Sequence, residues 1–334
     1  MELEVLWFAV VAFLFIGYFI LDGFDFGVGM ALPLVSKDDT DRRVVINAIG
    51  PVWDLNETWV IVAGAALFAA FPEWYASLFS GFYLALLLIL LALIVRGVSF
   101  EYRHQHDSVA WRRGFDTMIV VGSALPALLW GVAFANIVQG VALDADHNYI
   151  GGFFALLNPY ALLGGVTTLL LFLTHGLHFL TLKTDGAVKE RAHRLAQVVG
   201  AVTILVAAVF LVITNLMTGT VASWILSALA AVALVAGWLL NRIRRDGWSF
   251  AALAATIGLA VAALFTALFP NVLPASNDPA NSLTIWNAAS SDYTLTVMSW
   301  TALIALPVVF GYQIWTYWVF RKRVTRANIE VAAH

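Results

Sequence analysis

The sequence contains no cysteine, which excludes a disulfide framework, a thiolate-bound metal and a cysteine nucleophile. Charge is scarce as well: Asp, Glu, Lys and Arg make up 12% of the 334 residues, whereas 61% are hydrophobic. With a mean hydropathy of +0.86, the chain falls outside the composition of soluble domains and reads as a polytopic membrane protein. No polar stretch is long enough to fold by itself, no low-complexity segment is present, and no internal repeat is evident.

What is abundant is apolar sequence in runs of membrane-spanning length. Nine candidate spans lie at about 5–34, 44–71, 75–98, 114–142, 156–182, 192–217, 220–240, 248–269 and 293–320. All 18 Lys and Arg residues fall at or after the ends of spans 1, 3, 5, 7 and 9, from Lys37 to Arg326, and the intervening connections hold none. The positive-inside bias then predicts an outside N-terminus, nine crossings and an inside C-terminus. No basic region precedes the first apolar run, so a retained helix is expected rather than a cleaved signal peptide. The expected fold is a single all-α, multi-pass transmembrane domain over residues 1–334.

The few charges inside those spans carry the functional signal. In span 2, Pro51 to Trp59 holds Asp54 and Glu57, three residues apart and so on one helical face. Counted from Val44, Asp54 lies roughly 15 Å deep, close to the midplane. A carboxylate there costs on the order of 2.5–3.5 kcal/mol even on lenient scales, so it is read as functional, with a helix-locking polar cluster as the structural alternative. Pro51 is expected to bend the helix, and Trp53 and Trp59 lie too deep for an interfacial belt.

Span 1 repeats the pattern with Asp22 and Asp25 among Gly23, Gly27 and Gly29, read either as solvated acids at a helix end or as a buried pair facing other helices. Arg96 of span 3 is level with them, as a counter-ion or as a cation snorkelling to the surface. His175 and His178 are spaced i, i+3 but lack a third ligand in sequence; they read as packing histidines, with metal or haem ligation as the alternative. Tyr312, Trp315, Tyr317 and Trp318 form an expected aromatic anchor. The turn-rich connection from Phe269 to Asp292 is expected to fold over the outer face.

Buried carboxylates exchange protons near neutral pH, so the acids of the first third suggest a proton route from the inner side to the membrane centre. Two classes fit: a proton-coupled secondary transporter, or a subunit of a redox complex that consumes protons within the membrane. Transporters usually show paired halves with interrupted helices in both, and here the polar features sit in one third.

Several blocks carry a resemblance: Asp22-Gly23-Phe24-Asp25-Phe26-Gly27-Val28-Gly29, Pro51-Val52-Trp53-Asp54 with Asn56 and Trp59, Ser80-Gly81-Phe82-Tyr83, Arg96-Gly97-Val98-Ser99-Phe100-Glu101-Tyr102-Arg103, and Ser282-Leu283-Thr284-Ile285-Trp286. Together they resemble subunit II of cytochrome bd-type quinol oxidase over nearly the whole chain. The resemblance implies a heterodimeric terminal oxidase that oxidises quinol and reduces oxygen to water. Haems b558, b595 and d would be bound by subunit I, and this chain would ligate no cofactor, hold no metal and have no catalytic residue of its own. It implies a proton route through Asp54, with Asp22, Asp25, Arg96 and Glu101 as its inner polar network and Trp59 as a wall of an oxygen path. Glu57 joins the route by position alone. A structural quinone or lipid, small accessory membrane subunits and surrounding lipids are further expected partners; nucleic acid is not. Leu55 stands where the family often has Gly, Asn287 where Asp is common, and the very short turn between spans 6 and 7 leaves no room for an extended outer domain.

Overall fold

The structure is a computed structural model and describes residues 2–331. It is all-helical apart from a small hairpin. The first helix, α1 (Leu3–Val35), is continuous for 33 residues. The expected second span divides into α2 (Asp39–Ile49) and α3 (Trp53–Ala70). The break falls at Gly50–Val52, where Pro51 has no N–H to continue a helical ladder. A second division follows, with α4 (Pro72–Gly81) opening on a proline at its first position and α5 (Tyr83–Tyr102) beginning one residue beyond it.

Then come α6 (Val109–Gln139), which runs through Pro126, and α7 (Pro159–Lys183), capped by the Asn158 side chain accepting from the Ala161 N–H. The remaining long helices are α8 (Gly186–Thr218), α9 (Val221–Arg242), α10 (Asp246–Leu268) and α11 (Asp292–Val319), and a short α12 (Arg326–Val331) follows. The turn between α8 and α9 holds because Thr220 and Ser223 cap each other's backbone N–H groups.

Eight helices, α1 and α5 to α11, are long and apolar enough to cross a membrane. The 18-residue α3 stays out of that set because Asp54, Asn56 and Glu57 interrupt the apolar run in its first two turns. At 1.5 Å per residue it is nonetheless about 27 Å long.

Helix α1 is the hub, packing on α3, α6, α7 and α10. It meets α7 where Gly27 faces Gly176: a Cβ on either residue would overlap the other helix's backbone. Around this crossing Phe15, Phe19, Trp130, Phe134 and Phe172 interlock edge to face and tilted. By contrast α11 leans mainly on α1 and α3 and leaves Trp300, Ile304, Val308 and Trp315 exposed.

The two ends of the bundle differ. At the cation-rich end, ion pairs tie distant connections together. Arg103 reaches Asp39 at 2.7 Å and Asp116 at 2.6 Å, Arg326 reaches Asp41 at 2.7 Å and Asp38 at 2.9 Å, and Lys189 reaches Asp246 at 2.7 Å. At the opposite end the Phe269–Asp292 connection folds back as an antiparallel hairpin, β1 (Asn271–Leu273) with β2 (Leu283–Thr284). It is laced to residues 140–158 through Val141, Pro274 and Ser276, and through the Asn277 and Asn281 amides that donate to the Leu143 carbonyl.

Candidate functional site

Between α1, α3, α5 and α11 the chain encloses a charged cluster. Arg96 Nη2 donates to Asp22 Oδ1 at 2.7 Å and to Glu57 Oε2 at 2.8 Å, and the guanidinium carbon sits 4.5 Å from the centroid of the Phe26 ring. Asp22, Asp25 and Arg96 are all fully buried. Asn56 Nδ2 donates to Asp25 Oδ2 at 2.7 Å, while Asn56 Oδ1 accepts from Gln313 Nε2 at 3.1 Å and from the Tyr317 hydroxyl at 2.8 Å.

Two carboxylates thus share one guanidinium, and a third, Asp25, joins the cluster through Asn56. Asp22 Oδ2, Asp25 Oδ1, Arg96 Nε and Arg96 Nη1 are buried without a protein hydrogen bond. Taking such groups out of water costs several kcal/mol per ion even after relaxation, so the cluster is an expensive feature that packing alone does not require.

Helical geometry explains how it forms. Asp22 and Asp25 project from one face of α1, and the small residues around them let α3 and α7 approach. Because α3 restarts at Trp53, directly after the Pro51 break, its first two turns carry Asn56 to Asp25 and Glu57 to Arg96.

The structure divides the expected site residues into two groups. It brings Asp22, Asp25, Glu57 and Arg96 together and leaves Asp54 and Glu101 outside. Asp54 lies in the first turn of α3, exposed on the surface of this chain, and Glu101 is exposed at the cation-rich end of α5. Neither makes a side-chain hydrogen bond or ion pair among the described residues. Trp59 is buried against Phe13 and Phe310, its Nε1 is 3.4 Å from Gln313 Oε1, and it walls a largely apolar groove of about 460 Å³ between α1, α3 and α11.

Sequence reasoning assigned Tyr317 to the interfacial anchor; Tyr312, Trp315 and Trp318 are exposed, but Tyr317 turns inward to Asn56. Its i, i+4 spacing from Gln313, two polar groups on one face of an apolar helix, was the available signal.

The histidines are engaged locally. His175 Nε2 bonds to the Ile20 carbonyl at 3.1 Å and its ring stacks on Phe250 at 4.6 Å, while His178 Nδ1 bonds to Ser249 Oγ at 2.6 Å. Among the described residues no group of three His, Cys, Asp or Glu side chains could hold a metal ion.

The polar network at the cation-rich end is stabilising in character. Asp38 has its carboxyl held below the ordinary carboxylate range, first by the Asp41 backbone N–H and then by the Arg326 guanidinium.

Fold and site together define an integral membrane bundle that carries acids, an arginine and amides into the interior of its apolar layer. The particular family follows from comparison. The chain belongs to the cytochrome bd terminal oxidase subunit II family, whose profile matches residues 3–320. It is 42% identical to cytochrome bd ubiquinol oxidase subunit 2 of Bacillus subtilis, over 97% of each chain. It is 36% identical to cytochrome bd-I ubiquinol oxidase subunit 2 of Escherichia coli K12, over 99% of this chain and 98% of that one. In three dimensions it superposes on a chain of the bd oxidase from Geobacillus thermodenitrificans with a TM-score of 0.76, covering 96% of this chain and all of that one at 20% identity, a likeness of fold.

Proposed function

We propose that this chain is the haem-free subunit II of a quinol-oxidising terminal oxidase in a bacterial cytoplasmic membrane. It would dock a haem-bearing subunit I, in which haems b558, b595 and d reduce oxygen to water. The relatives are named ubiquinol oxidase subunits, and His175 and His178 each spend one ring nitrogen on a local hydrogen bond. Family membership sets aside the transporter alternative.

The observation that carries the proton-handling part is the Arg96 cluster, three acids around one cation with four polar atoms free of protein partners. Such a set can hold a proton and hand it on with little rearrangement. Asp54 is the next station. It faces outward from the bundle in the first turn of α3, where lipid is a poor neighbour and a partner subunit a good one, and it would pass protons from this chain to its partner. Glu101, exposed where α5 ends, would collect them from the inner side. Trp59 would wall an oxygen path along the groove between α1, α3 and α11.

Nine crossings, with α3 as the ninth and the N-terminus outside, belong to the same reading. The ion pair between Asp39, the first residue of α2, and Arg103, just past α5, supports it by holding the start of α2 and the end of α5 at one end of the bundle.

Expression of this chain without its partner tests the haem assignment. Membranes should show no Soret absorbance above background, and co-expression with subunit I should restore it; a stoichiometric haem in the lone chain would overturn the reading.

A further inference from the structure

A pocket of about 360 Å³ opens at the level where α7 and α11 end and α3 begins. Its deeper walls are apolar and aromatic: Val52, Phe179, Phe250 and Phe320. Its rim is cationic, formed by Lys183, Arg321 and Arg323, and among the described residues no carboxylate lines it. Elsewhere at this end many cations are matched by acids: Arg42, Arg103 and Arg112 by Asp39 and Asp116, Arg191 and Arg326 by Asp41. The rim differs. Among the described residues Lys183 donates to the Phe320 backbone carbonyl, Arg321 donates to the Trp318 carbonyl and lies over the Trp318 ring, and Arg323 donates to the Leu182 carbonyl and stands 3.6 Å from the much-shared Asp246. Three cations gathered over an apolar cleft, with most of their N–H groups unspent, call for an anion that brings its own hydrocarbon.

We propose that this pocket binds one anionic glycerophospholipid, its phosphate held by Lys183, Arg321 and Arg323 and an acyl chain laid against Phe179, Phe250 and Phe320. The depth fits, because Lys183 is the last residue of α7 and Arg321 follows α11 directly, which is headgroup level on the cation-rich side. Basic pockets between transmembrane helices on that side are suited to acidic headgroups. The site also touches the buried cluster, since Tyr317 lines the pocket and donates to Asn56, which in turn holds Asp25. A seated phosphate would offset the positive rim next to the acids, whose negative charge the rim otherwise draws on.

The site uses the position of the pocket at a membrane boundary and needs neither the proton-route assignment nor the haem assignment, so those can fail separately. The test uses the two-subunit complex purified from native membranes, with co-purified lipid quantified by mass spectrometry. The wild type should retain about one phosphatidylglycerol or cardiolipin per complex, and the Lys183→Gln, Arg321→Gln, Arg323→Gln triple variant should lose it about fivefold, with phosphatidylethanolamine unchanged.

A second arm needs no variant. Delipidated wild-type complex should gain thermal stability in nanodiscs containing phosphatidylglycerol but not in phosphatidylcholine discs supplemented with inorganic phosphate. Equal retention of anionic lipid by the triple variant, equal stabilisation by both disc types, or a response to inorganic phosphate alone would overturn the proposal.

Discussion

Arg96 Nη2 lies 2.7 Å from Asp22 Oδ1 with both side chains fully buried, joining α5 to α1 across 74 residues of sequence. The same nitrogen reaches Glu57 on α3, so one guanidinium sets the relative positions of three helices.

Removing that guanidinium should therefore be severe. Arg96→Ala leaves three acids facing one another without a cation, and loss of one partner of a buried pair costs about 3–5 kcal/mol. Haem content per membrane protein and the thermal unfolding midpoint of the complex should both fall sharply. Arg96→Lys should recover part of the loss, since it keeps the charge but loses the planar guanidinium that lies over the Phe26 ring.

Asp54 should behave in the opposite way. It is exposed on this chain and bonded to nothing within it, so Asp54→Asn should change stability by no more than about 0.5 kcal/mol. If it passes protons, quinol-driven oxygen uptake should fall about tenfold or more, because a positioned proton-transfer group contributes roughly 10²–10⁴-fold. Unchanged uptake at equal haem content would remove Asp54 from the route.

The α1–α7 crossing offers a purely steric test. Gly27→Ala and Gly176→Ala each drive a methyl into the facing backbone, an overpacking expected to cost at least about 1–3 kcal/mol. Gly114→Ala, at an exposed helical position with open space around it, should be neutral or stabilising by about 0.5–1 kcal/mol. Unfolding midpoints of the three variants should separate accordingly.

The cation-rich end should govern acid stability. Asp38 is held below the ordinary carboxylate range, so its contribution is present above the unfolded value of about 3.9 and is lost as pH falls through the lower folded value. Thermal midpoints measured between about pH 5 and pH 3 should therefore drop less for Asp38→Asn than for the wild type, while the variant starts lower at neutral pH. An identical acid limb would show that Asp38 contributes nothing to it.

Sequence patterning located nearly every long helix, because runs of apolar residues and the placement of Lys and Arg respond to the membrane directly. The two helix breaks show where that signal thins. Pro51 announced a bend, but a full stop between α2 and α3, and the separate α4 before Tyr83, depend on packing that hydropathy does not encode. In the site, Asp22, Asp25 and Arg96 were legible as embedded charges level with one another. Asp54 and Glu57 looked equivalent by spacing, yet about 60° of helical rotation puts one on the surface and the other on Arg96. Tyr317 and Gln313 could not be paired with Asn56 from sequence, since more than 250 residues separate them.

One chain of hydrogen bonds runs from the Trp59 indole through Gln313 and Asn56 to Asp25. An indole nitrogen can only donate, which fixes Gln313 Oε1 as acceptor, turns its amide toward Asn56, and turns Asn56 in the same sense toward Asp25. The wire has a polarity, and its far end makes Asp25 Oδ2 a committed acceptor. A proton arriving at Asp25 therefore meets one oxygen, Oδ1, that no side chain claims among the described residues, and a tryptophan three hydrogen bonds away sets which of the two oxygens that is.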